Sequence, residues 1–171
     1  AARGRTRRQL SLPEIAPSSY VYTSSPSTAF NASNQWVRML SGTHSVVGHR
    51  TMPANTHIEG GFVFSDGEYY KDSSATTLVR ITPSASVYSS TGLNYVGLYA
   101  DNVDGWSLHN IELEMVYSTT YQDGATSSRR YGSSFTNVAV AYSDNWRMSR
   151  ISLRSIGTNN MRIGYSGSVS S

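Results

Sequence analysis

Residues 96–114 read VGLYADNVDGWSLHNIELE, and residues 137–154 read NVAVAYSDNWRMSRISLR. Aligned at an offset of 40, Leu98 falls on Val138, Ala100 on Val140, Asp104 on Asp144 and Trp106 on Trp146. Leu108 then falls on Met148, Ile111 on Ile151 and Leu113 on Leu153. Both copies alternate apolar and polar residues in short runs broken by an Asp-Gly/Asn-Trp turn. That parity puts alternate side chains of a strand inside and the others out. A run-turn-run unit returning at one period implies a solenoid, each unit burying its apolar face on the next.

Forty residues exceeds one coil of such a solenoid, and the excess is visible. Residues 118–135 (STTYQDGATSSRRYGSSF) carry no inward alternation and read as an inserted loop. Without it a coil of about 22 residues remains, within the range of known repeats. The run Met161-Arg162-Ile163 ends 23 residues after Val140, which suits one further coil with no insertion. Upstream, Trp36-Val37, Ser45-Val46-Val47 and Phe62-Val63-Phe64 are short apolar runs. A polar stretch from Ser65 to Ala75 reads as a loop, and Thr77–Ile81 as a strand stopped by Pro83.

Composition agrees with strands. The chain has 171 residues, 12 of them Tyr, with only 15% charged and 38% hydrophobic residues. No window sustains the three-and-four spacing of an amphipathic helix, so almost no helix is expected. The net charge of +3 is unevenly placed, because Arg3, Arg5, Arg7 and Arg8 carry +4 and the rest sums to −1. Residues 1–35, basic and then rich in Pro and Ser, read as an extended arm that cannot fold alone. There is no cysteine. No stretch approaches the roughly 18 apolar residues of a membrane span, so no membrane insertion is expected. No apolar signal-peptide segment follows residue 1, so the expectation is a virion component assembled in the host cytoplasm.

The segments Pro53-Ala54-Asn55-Thr56-His57-Ile58-Glu59-Gly60-Gly61, Thr77–Ile81, Val96-Gly97-Leu98 and Trp106–Ile111 resemble the opening coils of pectin-lyase-like β-helix proteins. The likeness covers roughly residues 50–165 and specifies fold more than activity. It implies an all-β chain: a right-handed parallel β-helix of about four coils over residues 36–171, after the arm at 1–35. A jelly-roll β-sandwich is the alternative. Phage tail spikes and tail fibres of this resemblance carry an N-terminal virion-attachment segment, which the arm could be. The function expected is therefore a virion structural protein that presents the β-helix to bacterial surface polysaccharide. Trimerisation is the usual way such proteins cover an open strand edge, and the terminal Ser166–Ser171 shows no capping helix. The alternatives are a capsid or capsid-decoration protein, and a polysaccharide lyase or hydrolase.

Candidate chemistry is sparse. Glu112 and Glu114 flank inward Leu113, and paired carboxylates can cleave glycosides; yet Glu114 falls above Arg154 and Glu112 above Ser152, which suits a cross-coil ion pair. Asp104 and Asp144 suit turn aspartates accepting backbone N–H groups, with Gly105 and Asn145 tolerating positive φ; a calcium ladder is the alternative. Trp106 and Trp146 share the parity of Leu108 and Met148 and read as core. His44, His49, His57 and His109 lack metal-ligand spacing, and His44 and His49 read as surface residues. No catalytic residue, metal site or cofactor is expected. Glycan or partner binding is assigned to the inserted loop through Tyr117, Tyr121, Gln122, Asp123, Arg129, Arg130 and Tyr131, since Tyr and Arg give the most contact energy at surfaces. The arm arginines are assigned to other virion proteins; the body has no basic stripe, so nucleic acid is the weaker choice.

Overall fold

The computed structural model describes residues 20–82, 94–116, 134–155 and 159–163. Strand β1 (Tyr20–Thr23) is followed by a single turn of helix, α1 (Pro26–Ala29), then β2 (Trp36–Leu40), β3 (Gly42–Val47) and β4 (Arg50–Thr51). Next come β5 (His57–Ser65), β6 (Glu68–Lys71), β7 (Thr77–Thr82) and β8 (Asn94–Asp101). The described chain ends with β9 (Ser107–Met115), β10 (Ser134–Ala141), β11 (Arg147–Ser155) and β12 (Asn159–Ile163). The protein is mostly strand, with parallel strands in a curled sheet.

Pairing sorts the strands into three stacks. The first holds β1, β2, β5 and the leading halves of β9 and β11. The second holds β3, β7 and the trailing halves of β9 and β11. The third holds β4, β8, β10 and β12. In β9 and β11 the step between the first two stacks is made at Asn110 (φ 54°) and Arg150 (φ 52°). Among the described residues every pairing is parallel except β5 with β6. The jelly-roll alternative required antiparallel Greek-key pairing, so its strand directions are not the ones found.

The register matches the repeat. Trp106 and Trp146 stack with ring centroids 5.2 Å apart and planes 12° apart. Leu108 sits on Met148, Ile111 on Ile151, Leu113 on Leu153, and Val138 on Leu98. Val140 pairs with Ile163, at the spacing of 23 expected for a coil without insertion. One inward ladder runs through five strands: Val21, Val37, Ile58, Leu108 and Met148. Most of it lies in a core cluster with Met39, Val79, Ile81, Leu98 and Trp106. Such burial stabilises each large side chain by about 1.5–3 kcal/mol.

Turns are stacked too. Asn34, Asn55, Gly105 and Asn145 all have positive φ (56°, 48°, 70° and 53°) just ahead of the first stack. The backbone N–H of Asn34, Asn55 and Gly105 donates to Ala54, Asp104 and Asp144 respectively at 3.0–3.1 Å. Asp104 Oδ1 accepts the N–H of Asp144 at 2.7 Å, so this carboxylate ties one turn to the next. At a second corner Asn102 (φ 53°) stands where Tyr142 (φ 48°) stands forty residues later. Left-handed backbone costs an ordinary L-residue about 1–2 kcal/mol, and Asn less. Tyr142→Asn is therefore expected to stabilise the fold by about 0.5–1 kcal/mol, read as a higher urea midpoint. A lower midpoint would show that the exposed Tyr142 ring contributes more than its backbone costs.

Three features differ from the sequence reading. Residues 20–35 belong to the folded body instead of the arm. Ser25 Oγ accepts the N–H of Thr28 at 3.3 Å with Pro26 in the first helical turn, and Pro26, Ala29 and Phe30 are buried. The segment cannot fold alone, but Phe30 gains burial against the body, and Thr56 Oγ1 donates to Ala32 O at 2.7 Å. Arg3, Arg5, Arg7 and Arg8 lie outside the described residues. The loop expected at Ser65–Ala75 contains β6, joined to β5 by Asp66 and Gly67, both with positive φ. A two-residue Asp-Gly turn of this kind is the strongest short hairpin signal. The inserted segment is also shorter than 118–135 at its far end, since Ser134 and Phe135 pair with Asn94 and Tyr95 in β10 and β8.

Candidate functional site

Each stack has an outer surface, and the three differ. On the third stack Tyr99, Ala139 and Ala141 have outward parity yet are only 7–8% exposed. On the second, outward side chains are held in ion pairs. Arg80 Nε meets Glu114 Oε2, and Arg154 meets Glu112 Oε2 at 2.9 Å. The cross-coil pairing anticipated between Glu114 and Arg154 is thus replaced by a diagonal one. Strand neighbours are in the expected register, but Glu114 is engaged by Arg80, its neighbour on the other side, and Arg154 meets the carboxylate two residues away. Pairs this exposed contribute roughly 0–1 kcal/mol.

The first stack carries the richest outer surface. Its register sets two columns: Tyr20, Trp36, His57, Ser107 and Arg147, and beside them Tyr22, Arg38, Glu59, His109 and Ser149. Trp36 and His57 lie with ring centroids 4.4 Å apart. Arg38 sits in an aromatic box, its guanidinium 3.4 Å from the Tyr20 ring centre and 4.8 Å from that of Phe62. It also donates to the Tyr22 hydroxyl at 2.6 Å. The β5–β6 hairpin walls this surface, because Tyr69 stacks on Tyr22 with centroids 4.1 Å apart. Lys71 reaches from the hairpin to Glu59 Oε1 at 2.8 Å. Tyr20, Tyr69, Tyr70 and Phe64 are 40%, 44%, 50% and 56% exposed. Aromatic surface that remains open beside paired charges is what a recognition face needs.

Two histidine–serine pairs repeat down the columns. His57 Nδ1 and Ser107 Oγ share a hydrogen bond of 2.6 Å, as do His109 Nδ1 and Ser149 Oγ. Their repetition in register marks them as rungs between strands. Burial holds the His57 imidazole below its ordinary 6.5. Burial does the same to His109, with Glu59 pulling the other way and Lys71, Arg150 and Arg147 adding to the fall. A base with a depressed folded-state value binds its proton more readily in the unfolded chain. The stability it contributes is fully present above 6.5 and is lost as pH falls from there through the depressed value. The urea midpoint should therefore drop between about pH 7 and 5, and His57→Gln should flatten that drop. An unchanged slope in the variant would remove His57 as its source.

Other residues singled out in the sequence fall elsewhere. Trp106 is buried and Trp146 half-buried, both in or against the core. His44 has inward parity, is half-buried and shares a 2.8 Å hydrogen bond with Leu40 O, so it is not a simple surface residue. His49 is half-buried. Tyr117, Tyr121, Gln122, Asp123, Arg129, Arg130 and Tyr131 lie outside the described residues. Among the described residues no group of three or more His, Cys, Asp or Glu is placed to hold a metal. None of their helices is long and apolar enough to cross a membrane. No protein-family model, curated protein or solved structure matches the chain.

Proposed function

We propose that the chain is the N-terminal part of a phage tail spike or tail fibre, a virion structural protein that presents a parallel β-helix to host surface glycans. Three stacks of parallel strands, joined in turn and in a common register, support the β-helix reading. The right-handed sense follows the resemblance to pectin-lyase-like proteins. The observation that carries the functional reading is the outer surface of the first stack. There half-buried Trp36 lies beside Tyr20 and Tyr69, which are 40% and 44% exposed, next to Glu59, His109 and Lys71. Aromatic faces suit the apolar faces of sugar rings, and fixed polar groups suit their hydroxyls. Glu112 and Glu114 are held in ion pairs, which favours recognition over glycoside cleavage. The basic N-terminal arm would dock on another virion protein, and the spike would be a homotrimer.

Binding of the full chain to purified lipopolysaccharides and capsular polysaccharides from a panel of bacteria tests this. At least one should be retained, and Trp36→Ala with Tyr69→Ala should abolish retention while leaving the thermal midpoint within a few degrees. A monomer in sedimentation that retains none of the panel would overturn the proposal. Binding to virion shells without any polysaccharide binding would favour the capsid-decoration alternative.

A further inference from the structure

The charges on the first stack's outer surface are unequally used. Lys71 is paired with Glu59, and Arg38 is enclosed by Tyr20, Tyr22 and Phe62. Lower down, Arg147 in the same stack and Arg150 at the step to the second stack are exposed. Among the described residues neither takes part in an ion pair. Glu59 is the only glutamate or aspartate in either column. The lower half of the surface thus has an excess of positive charge.

Arg147 stands in the same column as Trp36, three strands away. Three strand spacings amount to about 14 Å. A single sugar ring cannot cover that distance, whereas an oligosaccharide lying across the strands can. Between the two ends the column offers His57 and Ser107, and its neighbour offers His109 and Ser149. These groups donate and accept hydrogen bonds, as sugar hydroxyls do. Guanidinium groups recognise carboxylates through paired N–H donors.

We infer that this face takes an acidic polysaccharide, its sugar rings lying on Trp36 and Tyr20 and a sugar carboxylate meeting Arg147 and Arg150. The inference rests on the glycan-recognition reading and adds the chemical class of the ligand. Nucleic acid would also use aromatic faces and arginine. Among the described residues this face has two cations outside ion pairs, with imidazoles and hydroxyls between them and the rings, which favours a sparsely charged polymer over a phosphate at every unit.

The test uses the full chain with three probes: polysialic acid, neutral dextran and single-stranded DNA. Titration calorimetry at low and high salt compares the natural chain with Arg147→Ser/Arg150→Asn. Asparagine at 150 tolerates the left-handed backbone there (φ 52°), so the variant should keep its thermal midpoint. The natural chain should bind polysialic acid, more weakly at high salt, and the variant should lose about ten-fold in affinity. Trp36→Ala should lose polysialic acid binding altogether. Dextran bound as tightly as polysialic acid, or a variant with unchanged affinity, would overturn the acidic-ligand inference and leave glycan recognition standing. DNA bound more tightly than polysialic acid would overturn it as well. Failure to bind either polysaccharide would end this inference, whereas the recognition reading falls only if the bacterial panel is also not bound.

Discussion

Trp106→Ala is expected to destabilise the fold by about 3–5 kcal/mol, the range for removing a fully buried aromatic side chain. Trp106 is 1% exposed and belongs to the main core cluster. It also stacks on Trp146, so the change removes both burial and a ring contact between successive passages of the chain. Against a total stability of about 5–15 kcal/mol, that loss leaves little margin. Trp106→Phe should cost much less. The Trp106 indole N–H is buried without a hydrogen-bond partner among the described residues. Phenylalanine keeps most of the apolar area and removes that unpaired donor. Urea unfolding of the three proteins measures both effects. An alanine variant within about 1 kcal/mol of the natural chain would contradict the stacking of residues 106 and 146.

Gly60→Ala should be of similar size for a different reason. A Cβ at Gly60 would lie 2.7 Å from Thr77 Cβ, 2.9 Å from Ile111 Cγ1 and 2.5 Å from the Asn110 carbonyl oxygen. Neither a neighbouring strand's backbone nor a β-branched core residue can yield cheaply, so a cost of about 3 kcal/mol, the upper end for overpacking, is expected. The corner has little slack. Gly61 N–H donates to Thr77 Oγ1 at 2.8 Å, and the Thr77 hydroxyl donates to Leu40 O at 3.0 Å. Gly67→Ala gives the contrast. It has open space around it but a φ of +84°, so only the backbone strain of about 1 kcal/mol applies. Equal losses at the two positions would mean that close packing at Gly60 is not what excludes a side chain.

These effects lie inside the molecule, whereas the proposed recognition lies on its outer surface. Parity keeps the two separable, because successive side chains on a strand point to opposite faces. Trp36 and Arg147 can therefore be changed with little effect on the ladder that runs through Val37, Ile58, Leu108 and Met148. Loss of binding without loss of stability is the signature expected of the outer columns.

The 40-residue register, the inward pairs from Leu98 on Val138 to Leu113 on Leu153 and the turn chemistry at Gly105 and Asn145 were legible in the amino-acid order. Each depends on local parity or on a single backbone angle, and both recur with the repeat. The hairpin was legible in principle through Asp66-Gly67, and the folded segment around Phe30 was masked by its Pro- and Ser-rich surroundings. The outer surface of the first stack was not legible. Its partners are separated by 16 residues from Tyr22 to Arg38, 21 from Trp36 to His57 and 50 from Glu59 to His109. Insertions of unequal length remove any constant period, so no repeat in the sequence marks these residues as neighbours. Which arginine meets which glutamate was likewise left to the reach of side chains across strands. Local periodicity is enough to specify what faces inward; only the folded chain, with its unequal excursions closed, decides what meets on the outside.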